Sequence, residues 1–177
     1  NWQGNNETYN GPIAISFDIG LNNLTVWAND TLGNMANLSI SFTIDIVGPD
    51  ISIISPINML YGNATQLVSI SVTDQNNTID SIIYNWNGTN YTYSSPLSIT
   101  FNEGVNTLTV WANDSIGNWA NSNVSFTIDT INPTWVVPPE DKIYYVGNTV
   151  SYNVLATDTI AIDSYWLNDT SYFSIGG

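Results

Sequence analysis

Eleven asparagines stand two positions ahead of a Ser or Thr: Asn6, Asn23, Asn29, Asn37, Asn63, Asn76, Asn87, Asn90, Asn113, Asn123 and Asn168. That spacing is the acceptor pattern for N-linked sugar. The 177 residues include 26 Asn, 18 Ser and 19 Thr, and chance placement gives roughly five such patterns. Composition alone explains half of them. The twofold excess points to real N-glycosylation, and so to an exported protein. In both copies of one repeated stretch a Trp stands two positions ahead of the acceptor: Trp27 precedes Asn29 and Trp111 precedes Asn113. Residues two apart on a strand share a face, about 7 Å from one another. A sugar on either asparagine would lie across the indole and cover wet apolar surface. The plainer alternative is an outward Trp packed on a neighbouring strand or another subunit.

Catalytic chemistry lacks its parts. The chain has no His and no Cys, so it offers no imidazole base, no thiolate and no disulfide framework. Its three Glu (Glu7, Glu103 and Glu140) fall in expected loops, with nothing nearby to raise a carboxyl pKa for acid/base work on sugars. The expectation is a protein that is not an enzyme. Fifteen acids against the single base Lys142 give a net charge of −14. Such a chain cannot displace counterions from phosphates, so nucleic acid is excluded as a partner. No apolar run reaches 18 residues, so no direct membrane insertion is expected from this segment. One lysine also excludes a repeated Lys–Asn cross-link.

These residues are positioned by a repeat. Residues 17–49 align without a gap with 101–133, with twenty identities in 33 positions, and LTVWANDTLGN at 24–34 returns as LTVWANDSIGN at 108–118. NWQG at 1–4 meets NWNG at 85–88, and SVTDQNNTIDS at 71–81 resembles LATDTIAIDS at 155–164 with one residue deleted. The period is 84 residues. It divides the chain into the second half of one unit (1–48), a whole unit (49–132) and the first half of a third (133–177). A sequence arranged in this way is expected to be a window on a longer array; the other option is half-units that complete each other between subunits.

Alternation with period two is pervasive, and helical periodicity is absent. In the whole unit it places strands near 50–54, 65–73, 79–86, 89–94, 97–101, 105–113 and 119–128. Seven short strands in about 84 residues indicate a two-sheet sandwich. Leu108, Val110 and Ala112 fall on the core side. Trp111 and Asn113 fall outside, as Trp27 and Asn29 do in the first copy.

A strand ending in A-x-D, a turn with GN, then SFTID and a Pro linker resembles the Ig-like repeats of large bacterial and archaeal surface proteins. The matching residues are Val110, Ala112, Asp114, Gly117, Asn118, Phe126, Ile128, Asp129 and Pro133, with partners 84 residues earlier. The resemblance spans essentially the whole chain. It implies an all-β protein of tandem Ig-like sandwiches in a stalk, adhesin, surface layer or filament. The heavy Asn, Thr, Tyr and Trp content, almost without Lys, is more like glycosylated archaeal surface proteins than typical bacterial adhesins.

In such a sandwich two loops and the incoming linker meet at one end. That brings Asp74, Asp80 and Asp114 toward Asp45 and Asp50, and offers Asp129, Asp158 and Asp163 at the next junction. Clustered carboxylates suit Ca²⁺, which takes six to eight oxygens; no cofactor is required. The simpler role for each aspartate is to cap its own turn, and the DxxGN spacing explains Asp30 and Asp114 unaided. The function expected is that of an extracellular structural segment on the cell surface, coated in N-linked glycans and associating with itself or with neighbouring repeats. The alternative is an adhesin or carbohydrate reader using Trp2, Trp86, Trp119, Trp135 or Trp166, although Trp86 sits with Ile82 and Tyr84 on an expected core strand.

Overall fold

The computed structural model describes residues 7–148, 151 and 153–168, so Asn6 and Trp2 lie outside the described residues. All twelve described elements are strands. The first pair, β1 (Gly20–Asn29) and β2 (Met35–Ile44), forms an antiparallel hairpin. Eight strands then build the central sandwich: β3 (Asp50–Ser55), β4 (Leu60–Tyr61), β5 (Thr65–Thr73), β6 (Ile79–Trp86), β7 (Thr89–Thr92), β8 (Leu97–Thr100), β9 (Gly104–Asp114) and β10 (Trp119–Ile128). A last pair, β11 (Thr134–Val137) and β12 (Leu155–Thr157), is again antiparallel.

The sandwich has one sheet ordered β3-β5-β8 and another ordered β4-β10-β9-β6-β7. Its core follows the alternation. Leu108, Val110 and Ala112 of β9 and Ile128 of β10 are fully buried, and Val68 of β5 meets them from the other sheet. Aromatic rings fill the space between. Phe101 stands edge-on to Phe126 at 4.8 Å and to Trp86 at 5.1 Å. Such pairs add about 0.5–1.5 kcal/mol beyond their burial.

One buried hydroxyl closes a gap in the ladder. β8 pairs with β5 only from Thr65 to Val68. Beyond it the Ile70 N–H donates to the Tyr93 hydroxyl at 2.9 Å, in the buried interior. Tyr93→Phe removes the acceptor and strands that N–H, so equilibrium unfolding is expected to show a loss of about 1–3 kcal/mol. An unchanged midpoint would mean that the amide finds another partner.

The 84-residue period is written in the geometry. Phe17 stands edge-on to Phe42 at 4.7 Å, as Phe101 does to Phe126. Asn22 donates to the carbonyls of Asp18 and Gly20, and Asn106 to those of Asn102 and Gly104. Thr134 pairs with Thr157 as Asp50 pairs with Thr73. The flanking pairs therefore carry parts of the same unit.

Candidate functional site

Asp45 ends the first hairpin and opens the linker into the sandwich. One carboxylate oxygen accepts from the Val47 N–H, and the other accepts from the Asn77 amide at 2.6 Å. Its own carbonyl accepts from Asn118 at 3.3 Å. Three residues on, Gly48 runs flat against the start of β10: a Cβ there would lie 2.6 Å from the carbonyl carbon and oxygen of Trp119. The linker is thus held by amides on two loops and by a contact only glycine permits.

Asp45, Asp74 and Asp114 each bring a carboxylate oxygen within 4.8 Å of the others. Asp50 lines the same cavity of about 130 Å³ beside Asp45 and Asp74. Asp80 turns away and accepts from Asn113 at 3.1 Å. Every member of the close triad also caps local backbone. Asp74 accepts from the N–H groups of Asn76 and Asn77, and Asp114 from those of Ile116 and Asn118. At the second junction a cavity of about 210 Å³ is lined by Ile131, Asn132, Thr134 and Thr157–Thr159. It stands 84 residues on from the first. Asp129 caps Ile131, Asp158 caps Ile160, and Asp163 is exposed; among the described residues no close cluster joins these three. One carboxylate oxygen of Asp158 is buried without a hydrogen-bond partner.

Burial alone would raise the Asp114 carboxyl, but hydrogen bonds from Asn118, Ile116 and Gly117 outweigh it and hold the group below the usual carboxylate range. Asp30 is held low by the Asn34 side chain and backbone in the matching turn. The folded state therefore binds these protons less readily than the unfolded chain. The stability this gives is complete above about pH 4, the ordinary unfolded value, and is lost as pH falls through the lower folded value. Urea midpoints between pH 6 and pH 2 are expected to drop in that acid limb, and Asp114→Asn to flatten it. An acid limb as steep as the parent's would sever the link to this carboxyl.

The acceptor asparagines divide by exposure. Asn23, Asn29, Asn37, Asn63, Asn76, Asn87, Asn90, Asn123 and Asn168 are exposed. Asn113 is a correction: it is 8% exposed rather than outward-facing. Its carbonyl accepts from the Ser81 hydroxyl, and its amide donates to Asp80 and to the Asp114 carbonyl. Ser81 stands directly opposite it on β6, next to a register shift between Ile79 and Ser81. Trp111 does face away from the core, but it is half-buried, with Ile83 and Asn121 alongside on the adjoining strands. The proposed stack of an Asn113 sugar on Trp111 is not presented by this geometry.

Trp27 is 41% exposed. The residue directly opposite it is Asn37, about 5 Å away as cross-strand pairs run and nearer than Asn29. A sugar on Asn37, which also starts an Asn-x-Ser pattern, would reach that indole more directly than one on Asn29; only the strand register reveals it. Among the other candidate aromatics, Trp86 packs against the core and its N–H donates to Asn106 at 3.3 Å. Trp119, Trp135 and Trp166 are exposed.

No known family model matches the chain, and no curated protein matches it either. Among solved structures, fibronectin(III)-like modules of Clostridium thermocellum CbhA match at 15% identity and a TM-score of 0.38, over 45% of this chain and 96% of theirs. An engineered protein matches at 15% identity and a TM-score of 0.38, over 46% of this chain and 20% of its own length. The fold is all-β and Ig-like, and its detail rests on the strand order above.

Proposed function

We propose that this chain is a structural extracellular segment: Ig-like repeats of the bacterial and archaeal surface type, N-glycosylated, within a cell-surface stalk, surface layer or filament. The observation that carries this reading is the hairpin face. Asn23, Asn29 and Asn37 share its exposed polar side with Trp27, and Leu24, Val26, Leu38 and Ile40 take the other. Sugars on the polar side shield strands from pairing with other chains without entering the core. The docked linker, held through Asp45 and Gly48, limits bending between units, as a rod requires. Imaging of the native material tests the reading. Elongated particles or an ordered array, with extra density on asparagines, are expected; compact, sugar-free particles would refute it.

Calcium belongs to the same proposal. Three carboxylates within 4.8 Å at a unit junction suit a divalent ion that would stiffen it. Added Ca²⁺ is expected to raise the melting temperature by several degrees, reversed by chelator; equal melting in both conditions removes the ion from the reading.

A carbohydrate-reading adhesin is the second reading, favoured by the exposed rings of Trp119, Trp135 and Trp166. Micromolar binding on soluble-glycan arrays would support it over the structural role.

A further inference from the structure

The outer side of the five-stranded sheet sets an indole among amides. Trp111 of β9 and Asn121 of β10 stand opposite each other, and Ile83 of β6 flanks Trp111 on its other edge. Trp119 lies two residues before Asn121, and Asn123 two residues after it. Residues two apart on a strand share a side, so Trp119, Asn121 and Asn123 all border Trp111. Asn121 and Asn123 are exposed, Trp119 is 55% exposed, and Trp111 is half-buried. From Asn123 to Trp119 is about 14 Å along the strand, with Trp111 alongside the middle of that track.

Of the acceptor asparagines on these strands, Asn123 alone is placed to cover that indole. The Asn113 side chain is taken up by Asp80 and Ser81. Asn90 sits on β7, which β6 separates from β9, and its carbonyl accepts from Asn85. Asn123 is on the strand beside Trp111 and diagonal to it, about 7–8 Å away. The first hairpin makes the same pairing from a different residue. There the acceptor is Asn37, directly opposite Trp27. Ser39 stands where Asn123 does in the second copy, and Asn121, the counterpart of Asn37, starts no acceptor pattern. Between the copies the acceptor moves by two residues, which keeps it on the indole side; a move of one would turn it toward the core.

We infer that the first sugar on Asn123 lies over the Trp111 indole and that the following sugars run toward Trp119. A sugar ring carries a face of C–H groups that covers aromatic surface. Its hydroxyls lie at the rim, within reach of the exposed Asn121 amide. The inference rests on the N-glycosylation proposed above and adds to it: this one glycan has a fixed bed on the protein and helps to hold the sheet.

The test uses the chain secreted from cells that attach N-acetylglucosamine-based glycans, with Asn123 occupancy read by glycopeptide mass spectrometry. Asn123→Gln is expected to lower the melting temperature by roughly 4 °C, and to leave it unchanged in a Trp111→Thr background. Made in cells that add no N-glycans, Asn123→Gln should melt as the parent does. Proton NMR of the glycosylated parent needs no change at Trp111. It is expected to show N-acetylglucosamine ring resonances shifted upfield by the indole, and Asn123→Gln to remove them. Equal melting losses with and without Trp111→Thr, or sugar resonances with no upfield shift, overturn the stacking and leave glycosylation standing. A bare Asn123 beside occupied acceptors elsewhere also overturns it. Bare asparagines throughout would sink the glycosylated reading itself.

Discussion

Leu108→Ala is expected to lower the stability of the central sandwich by about 3–4 kcal/mol, while Leu24→Ala costs the monomeric chain less than about 1 kcal/mol. The two leucines occupy identical sequence, 84 residues apart, inside the same LTVWAND stretch. Only Leu108 is fully buried, in a cluster with Val110, Phe126 and Val68; Leu24 is half-buried on a hairpin with no opposing sheet among the described residues. Truncation leaves a cavity in the first case and exposes a little more surface in the second. Denaturant titration at a concentration low enough to keep the chain monomeric measures both. Equal losses would mean that the first hairpin already belongs to a closed core.

Gly48→Ala acts on the junction. The added methyl would sit 2.6 Å from the backbone carbonyl of Trp119 and 3.0 Å from the Ala120 nitrogen. A side chain could rotate away; a strand backbone cannot. The linker must lift, at a cost of about 2 kcal/mol typical of overpacking. Hydrogen exchange at residues 45–50 is then expected to quicken roughly 30-fold, with the core strands unaffected. Unaltered exchange would show that the linker is not docked in solution. At the second junction Asn132 stands at the matching position, so this close approach is specific to the first.

Much of the sandwich could be read from alternation. Strands expected at 65–73 and 79–86 appear at Thr65–Thr73 and Ile79–Trp86, because side chains of period two have to face two ways. The two-residue β4, parallel to the end of β10, is too short to carry a period. Asn113 shows the other failing. Alternation assigns it a side but not what lies on that side: burial runs unbroken through Ala112, Asn113 and Asp114, where Asp80 and Ser81 of β6 bind the Asn113 side chain.

Part of the aspartate grouping was legible by topology: Asp45, Asp74 and Asp114 do meet, while Asp80 and, among the described residues, the second-junction set do not join such a cluster. Asn77 and Asn118, which tie the Asp45 end of the linker to the sandwich, were not. Asparagine is so common here that two more carry no signal. The DxxGN spacing did foretell the Asp30 and Asp114 caps, since the bonds are local and recur in both turns.

Site-by-site glycopeptide mass spectrometry of the native protein bears most directly on a sandwich with sugar confined to its outer surface. Occupancy is expected at exposed acceptors such as Asn37, Asn63, Asn90 and Asn123, and none at Asn113, whose amide is tied to Asp80 and Ser81. A glycan on Asn113, or bare asparagines throughout, would contradict it.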